Sequence, residues 1–169
     1  IDGNATNFDQ FSIELKRINC NFSAIGLAET NTDPTLSGTY SIPGYKPYYQ
    51  STRANKKSGT GVALYIKDSI NVSIVESISE CSEDIECIFV KTTNTKEPLF
   101  FGAIYRPNDG NEDIFYERLN TIFETLPKTR VFLMGDFNIN LLSSKKSCKF
   151  EECFLSGGFA PLISIFTHK

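Results

Sequence analysis

Over the first twenty residues, apolar side chains recur every third or fourth position, with Phe8, Phe11, Leu15 and Ile18 sharing one face. That is the spacing of an amphipathic helix whose stripe faces a core, and Thr6 with Asp9 three residues on marks its start. The period then changes. Residues 22–28 form a compact apolar run containing Gly26, which stops on Glu29-Thr30 ahead of a stretch rich in Thr, Asn, Asp, Pro and Gly; this predicts a strand with a carboxylate at its tip. Residues 31–59 carry Pro34, Gly38, Pro43, Gly44 and Pro47 together with Tyr40, Tyr45, Tyr48 and Tyr49. A long loop is expected there, with the rings arguing for packing rather than disorder. Four strand-like runs follow. Segments 60–66 and 71–75, separated by Lys67-Asp68-Ser69, predict one hairpin, and segments 85–91 and 99–105, separated by a polar turn of Thr, Asn and Lys, predict another. The last run ends on Tyr105-Arg106-Pro107-Asn108, where the proline stops the ladder.

Helical spacing returns over 113–126, where Ile114, Phe115, Leu119, Ile122, Phe123 and Leu126 make a wide apolar stripe closed by Pro127. Next comes Arg130-Val131-Phe132-Leu133-Met134-Gly135-Asp136-Phe137-Asn138, a short apolar run stopped by glycine, with a carboxylate and an amide two positions apart. A strand running out into a loop holds polar groups rigidly and still exposes them to a ligand. After a loop over 139–146, Phe150, Cys153 and Phe154 repeat at helical spacing up to Gly157-Gly158, and 161–165 reads as one more short strand. Runs of strands followed by alternation with helices predict an α/β fold of helix-covered sheets with mixed, partly antiparallel pairing.

Composition narrows the class. A chain of 169 residues, 40% hydrophobic and 12% aromatic, can bury one substantial core, so residues 1–169 are expected to form a single domain. With no apolar run of membrane-spanning length and no leader pattern at Ile1, a soluble protein without a membrane partner is expected. The five cysteines, Cys20, Cys81, Cys87, Cys148 and Cys153, lack the close pairing of a zinc site and read as reduced thiols of an intracellular protein, nuclear or cytoplasmic. Sequons at Asn4, Asn21 and Asn71 follow from the richness in Asn, Ser and Thr. The net charge of −3 excludes the overall basic excess of a protein that grips nucleic acid chiefly through phosphates. Any such contact must use local patches: Arg53, Lys56 and Lys57, or Lys145, Lys146 and Lys149, which read equally well as solvated loop lysines. His168, second from the end, reads as a frayed terminal residue rather than a catalytic one.

The segments Ile25-Gly26-Leu27-Ala28-Glu29-Thr30, Gly59-Thr60-Gly61-Val62-Ala63-Leu64-Tyr65, Ala103-Ile104-Tyr105-Arg106-Pro107 and Gly135-Asp136-Phe137-Asn138, in that order, resemble the endonuclease/exonuclease/phosphatase family. Within it they are most similar to the apurinic-type endonuclease domains of non-LTR retrotransposons, and the likeness covers nearly the whole chain. It implies a four-layered α/β sandwich, two packed mixed sheets flanked by helices. It also implies a phosphodiesterase site dependent on Mg2+ or Mn2+, with DNA as the partner, nicked to leave a 3′-hydroxyl that primes reverse transcription. By resemblance, Glu29 is the metal carboxylate, Asp136 orients or deprotonates the attacking water, Asn138 hydrogen-bonds the scissile phosphate and Tyr105 lies beside it. Arg106, Asn108 and Thr167 fall where substrate is bound. The residue types agree, since phosphodiester hydrolysis needs a hard cation, a base for water and neutral donors for the developing charge. Taken singly, each has a plainer reading: Glu29 a solvated strand end, Tyr105 a core aromatic, Asn138 a turn residue and Asp136 a cap.

The chain also departs from the family pattern. Ile1 falls near the end of the family's first strand, and Phe166-Thr167-His168-Lys169 reaches only its Thr-Arg-like stretch, with Thr167 the match and His168 no counterpart of the final Ser-Asp-His. The resemblance therefore implies a fold lacking its first and last strands and impaired hydrolysis. Open sheet edges would favour a homodimer through edge pairing or exchanged elements. The alternative function is an inactive retrotransposon-derived module that binds DNA or protein.

Overall fold

A computed structural model describes residues 5–31, 40–50, 59–128, 130–140, 144–160 and 162. The elements in chain order are α1 (Ala5–Ile18), β1 (Ala24–Ala28), β2 (Tyr45–Gln50), β3 (Val62–Lys67), β4 (Val72–Ile74), a 3-10 turn (Glu76–Ile78), β5 (Glu80–Cys81), β6 (Glu86–Thr92), β7 (Phe100–Tyr105), α2 (Glu112–Thr125), β8 (Val131–Asp136) and α3 (Ser144–Ser156). The Thr6 start signal and the expected strand at 161–165 fall on side chains or residues outside those described.

Two sheets form. In the first, β3 lies between β1 and β2 and runs antiparallel to both. In the second the order is β4-β6-β7-β8, with β5 also on β6; β6 and β7 form the expected antiparallel pair, and β7 and β8 are parallel. A parallel pair needs a crossover, and α2 supplies it. Alternation then assigns each face. Val62, Leu64 and Ile66 of β3 meet Ile88 and Val90 of β6 and Phe101, Ala103 and Tyr105 of β7 between the sheets. The opposite face of β3, Ala63 and Tyr65, packs with Phe8 of α1 and Ile42. The opposite face of β6, Cys87 and Phe89, packs with Phe115, Leu119, Ile122 and Phe123 of α2 and Cys153 of α3. The order helix, sheet, sheet, helix gives the four layers the sequence resemblance implies.

Three sequence expectations are corrected. Residues 71–75 do not form a hairpin with 60–66: β4 pairs with β6, because both edges of β3 are already taken by β1 and β2. Lys67-Asp68-Ser69 is therefore a crossing between sheets. Within the expected loop, Tyr45–Gln50 is a strand, and its Pro47 is tolerated because β2 is the outer strand of its sheet. Ile18, expected on the inner face of α1, is 56% exposed, whereas Phe8 is buried.

Several buried acids hold their protons unusually tightly. Burial pushes the Cys87 thiol up to about 12, Cys153 up to about 11 and the Tyr116 hydroxyl up to about 12. Above the ordinary thiol value of 9.0 the unfolded chain has released protons that the folded chain keeps, so rising pH favours unfolding. The stabilising contribution is complete below about pH 9 and disappears as pH climbs toward 12. Melting temperature followed by circular dichroism is expected to be level from pH 7 to 8.5 and to fall from pH 9 to 11; a level curve to pH 11 would contradict these burials.

Candidate functional site

Because β7 and β8 are parallel, both end at the same edge of their sheet, and the register places Tyr105 directly beside Asp136. β1 of the facing sheet ends at that edge too. Immediately after it Glu29 takes a left-handed backbone, φ 53°, which turns the chain sharply at the strand tip. The Tyr105 hydroxyl donates to Glu29 Oε1 at 2.6 Å, so a side chain of the second sheet meets the carboxylate of the first. Three of the residues singled out from the sequence thus converge on one rim.

Asn138 completes the group. Its backbone is left-handed, φ 47°, a conformation asparagine adopts more readily than most residues. Asp136 Oδ1 accepts the Asn138 amide at 3.1 Å, closing a tight turn. The turn and the tip of β7 then clamp each other. Asn138 Nδ2 donates to the Arg106 carbonyl at 2.8 Å, while Arg106 Nε donates to the Phe137 carbonyl at 2.9 Å and Arg106 Nη2 to the Asn138 carbonyl at 2.5 Å. Arg106 Nη1 reaches the Gly110 carbonyl at 3.3 Å, and the residue is only 6% exposed. Expected among the substrate-binding residues, Arg106 has its guanidinium engaged with backbone carbonyls that shape the site. Phe137 anchors the turn from below, its ring 5.2 Å from both Phe150 and Phe154 of α3.

Each residue of Gly135-Asp136-Phe137-Asn138 therefore has a separate physical task. A Cβ on Gly135 would lie 1.9 Å from the Ile104 carbonyl oxygen, so only glycine lets β8 lie against β7 at this register. Asp136 faces the rim, Phe137 fills the core and Asn138 bends the chain.

The Glu29 side has its own scaffold. Thr30 N donates to the Gly61 carbonyl at 3.1 Å and Asn31 N to the Thr60 carbonyl at 2.8 Å. The Asn31 side chain accepts from Thr60 N at 3.2 Å and donates to the Glu29 carbonyl at 3.2 Å. Gly61, at φ 88°, gives its amide to Glu86 Oε2. Glu86 is fully buried and is the register partner of Tyr105 across β6 and β7. The sequence reading passed over it. The signal was present in the period of two, since Glu86, Ile88 and Val90 share a face and the latter two point between the sheets.

Electrostatics follow from this crowding. Burial, the hydrogen bond to Glu29 and the negative charges of Glu29, Glu86 and Asp136 all push the Tyr105 hydroxyl far above its ordinary range. It remains a proton donor at every physiological pH. A carboxylate pair on one rim with a neutral tyrosine and an amide is an oxygen-rich donor set, which suits a hard cation. Among the described residues no three His, Cys, Asp or Glu side chains lie close enough together to enclose a metal ion.

Of the remaining expected residues, Asn108 is exposed beyond the β7 tip, and Thr167 and His168 lie outside the described residues, as do Arg53, Lys56 and Lys57. Lys146 pairs with Glu112 at 2.8 Å and Lys149 with Asp113 at 2.5 Å, so two lysines of the second basic patch pin α3 to the start of α2. Among the described residues no helix is long and apolar enough to cross a membrane.

Comparisons with known proteins agree with this fold. The model of the Endonuclease/Exonuclease/phosphatase family matches residues 4–147. No curated protein matches the chain. Among solved structures, the endonuclease domain of TRAS1, a telomere-specific non-LTR retrotransposon, is similar with TM-score 0.59 at 12% identity, over 87% of this chain and 64% of that one. A mannosyl-6-phosphatase of Bacteroides thetaiotaomicron is similar with TM-score 0.56 at 17% identity, over 89% of this chain and 61% of that one. The human Nocturnin catalytic domain with bound sulfate has TM-score 0.50 at 10% identity, over 84% and 60%. These are likenesses of fold, and the chain spans somewhat less than two thirds of each of these structures.

Proposed function

We propose, for a chain that belongs to the endonuclease/exonuclease/phosphatase family, that the rim carrying Glu29, Tyr105, Asp136 and Asn138 hydrolyses a phosphodiester, with DNA nicked in the manner of target-primed retrotransposition. The observation that carries the reading is the Tyr105 hydroxyl on Glu29 at 2.6 Å, with Asp136 in register beside Tyr105. It joins the two sheets at one point and leaves a base next to a metal-type carboxylate. The family generally uses divalent metals, and Mg2+ or Mn2+ would supply charge neutralisation at the non-bridging phosphate oxygens. Glu29 would hold the ion. Asp136, fixed by the Asn138 amide, receives a proton from the attacking water as its oxygen bonds to phosphorus and the P–O3′ bond breaks, and the leaving 3′-oxygen takes a proton from solvent. Tyr105, kept neutral by its surroundings, has one proton, which rests on Glu29 Oε1 and would turn to the phosphate when the Glu29 carboxylate holds the ion. Asn138 uses one amide hydrogen on the Arg106 carbonyl and has the second for a phosphate oxygen, which matches donors to developing charge without adding a cation. Arg106 acts through the backbone it holds.

The preference for DNA over a phosphomonoester rests on the Tyr-Arg-Pro and Gly-Asp-Phe-Asn patterns, since the fold is shared with an endonuclease domain and a phosphatase alike. Supercoiled plasmid incubated with the chain and Mg2+ is expected to relax to the open-circular form and to stay supercoiled with EDTA. No relaxation under any divalent metal would remove the catalytic reading and leave a module that binds DNA or protein.

A further inference from the structure

Glu86 is a carboxylate with no exposed surface on the inter-sheet face of β6, in line with Ile88 and Val90. An apolar residue would pack there at lower cost, since a buried charge is tolerated only where hydrogen bonds compensate it. Its Oε2 takes the amide of Gly61, the residue immediately before β3. The Gly61 carbonyl in turn takes the Thr30 amide at 3.1 Å, next to Glu29. From the other side, Glu86 stands opposite Tyr105 in the β6–β7 register, and Tyr105 holds the Glu29 carboxylate. The contacts close a ring: Glu29, Tyr105, Glu86, Gly61, Thr30 and back to Glu29. Glu29 and Asn31 both sit in left-handed backbone, φ 53° and 47°, so this turn depends on outside contacts to keep its shape.

We propose that Glu86 is a positioning residue: it fixes the Gly61 amide to the second sheet and thereby sets where the first sheet delivers Glu29 to Tyr105 and Asp136. The inference rests on the hydrolytic reading above. It assigns Glu86 no contact with substrate. What the site needs from residue 86 is an acceptor oxygen at a fixed place, so a side chain of the same shape should serve.

The test compares wild type, Glu86→Gln and Glu86→Ala in the full chain, with two readouts. The first is kcat and KM for bis(4-nitrophenyl) phosphate with Mg2+; the second is the proton shift and hydrogen-exchange rate of the Gly61 and Thr30 amides by NMR. Glu86→Ala is expected to lower kcat about 100-fold, as for a misplaced catalytic group, with KM changed less than about threefold. Its Gly61 amide should move upfield and exchange faster. Glu86→Gln should retain both the amide shift and turnover of the wild-type order. Loss of turnover in Gln and Ala alike with the Gly61 amide unmoved would overturn the proposal, because Glu86 would then act through its charge. Unchanged turnover and amides in Ala would overturn it as well. If the wild type hydrolyses nothing, the function falls by itself; unmoved Gly61 and Thr30 amides in Ala would then also end the positioning role, and shifted ones would uphold it.

Discussion

Asp136→Asn is expected to lower plasmid nicking about 10²–10⁴-fold, the usual cost of removing a general base, and to leave the melting temperature close to that of the wild type. Asparagine keeps an oxygen where Asp136 Oδ1 accepts the Asn138 amide at 3.1 Å, so the turn survives and only the proton acceptor is lost. Alanine at the same position would remove both and confuse the two effects. Nicking kinetics and a melting curve on the same preparation separate them. Equal nicking by wild type and Asp136→Asn would show that another group takes the proton and that Asp136 is merely the turn's internal acceptor.

Gly135→Ala should be the most damaging of the Gly→Ala changes among the described residues. With Ile104 O only 1.9 Å from the added carbon, β8 must leave its register with β7, and every residue it positions must follow: Asp136, Phe137 beneath α3, and Asn138 against Arg106. Overpacking alone costs about 1–3 kcal/mol, and breaking the β7–β8 ladder adds to it, so a loss above about 3 kcal/mol is expected in urea unfolding. The contrast with Gly44 makes the point specific, since a Cβ there meets nothing within 4 Å, although φ 85° still favours glycine. A Gly135→Ala protein within about 1 kcal/mol of wild type, the scale of an ordinary surface change, would mean that β7 and β8 approach less closely than the structure has them.

Much of this was legible in the residues. Apolar runs ending in Glu29-Thr30, Tyr105-Arg106 and Asp136-Phe137-Asn138 marked strand tips, and their order resembled one family. What the apolar and polar pattern alone could not convey, and only the resemblance implied, was which tips share a rim, because that depends on β7 and β8 being parallel and on β1 ending opposite them. The crossing at Lys67-Asp68-Ser69 looked like a hairpin turn because short polar links serve both purposes, and the neighbours of β3 are remote in sequence. β2 was hidden by Pro47, which ordinarily argues against a strand and is harmless on an outer one. Glu86 was hidden by its acidic surroundings, Glu83 and Asp84. Arg106 was placed correctly at a strand tip, but its direction, into the backbone of the Asn138 turn rather than outward, is a property of packing that no local pattern encodes.

The claim on which all of this rests is that Glu29 and Asp136, 107 positions apart in the chain, serve one divalent ion. Paramagnetic broadening by substoichiometric Mn2+ in the NMR spectrum of the isotope-labelled chain reads it directly. The account predicts that the amides of Glu29 and Thr30, Tyr105, and Asp136 and Phe137 broaden together, while that of Ile13 on α1 stays sharp. Broadening at only one of the two carboxylates, or at neither, would contradict it.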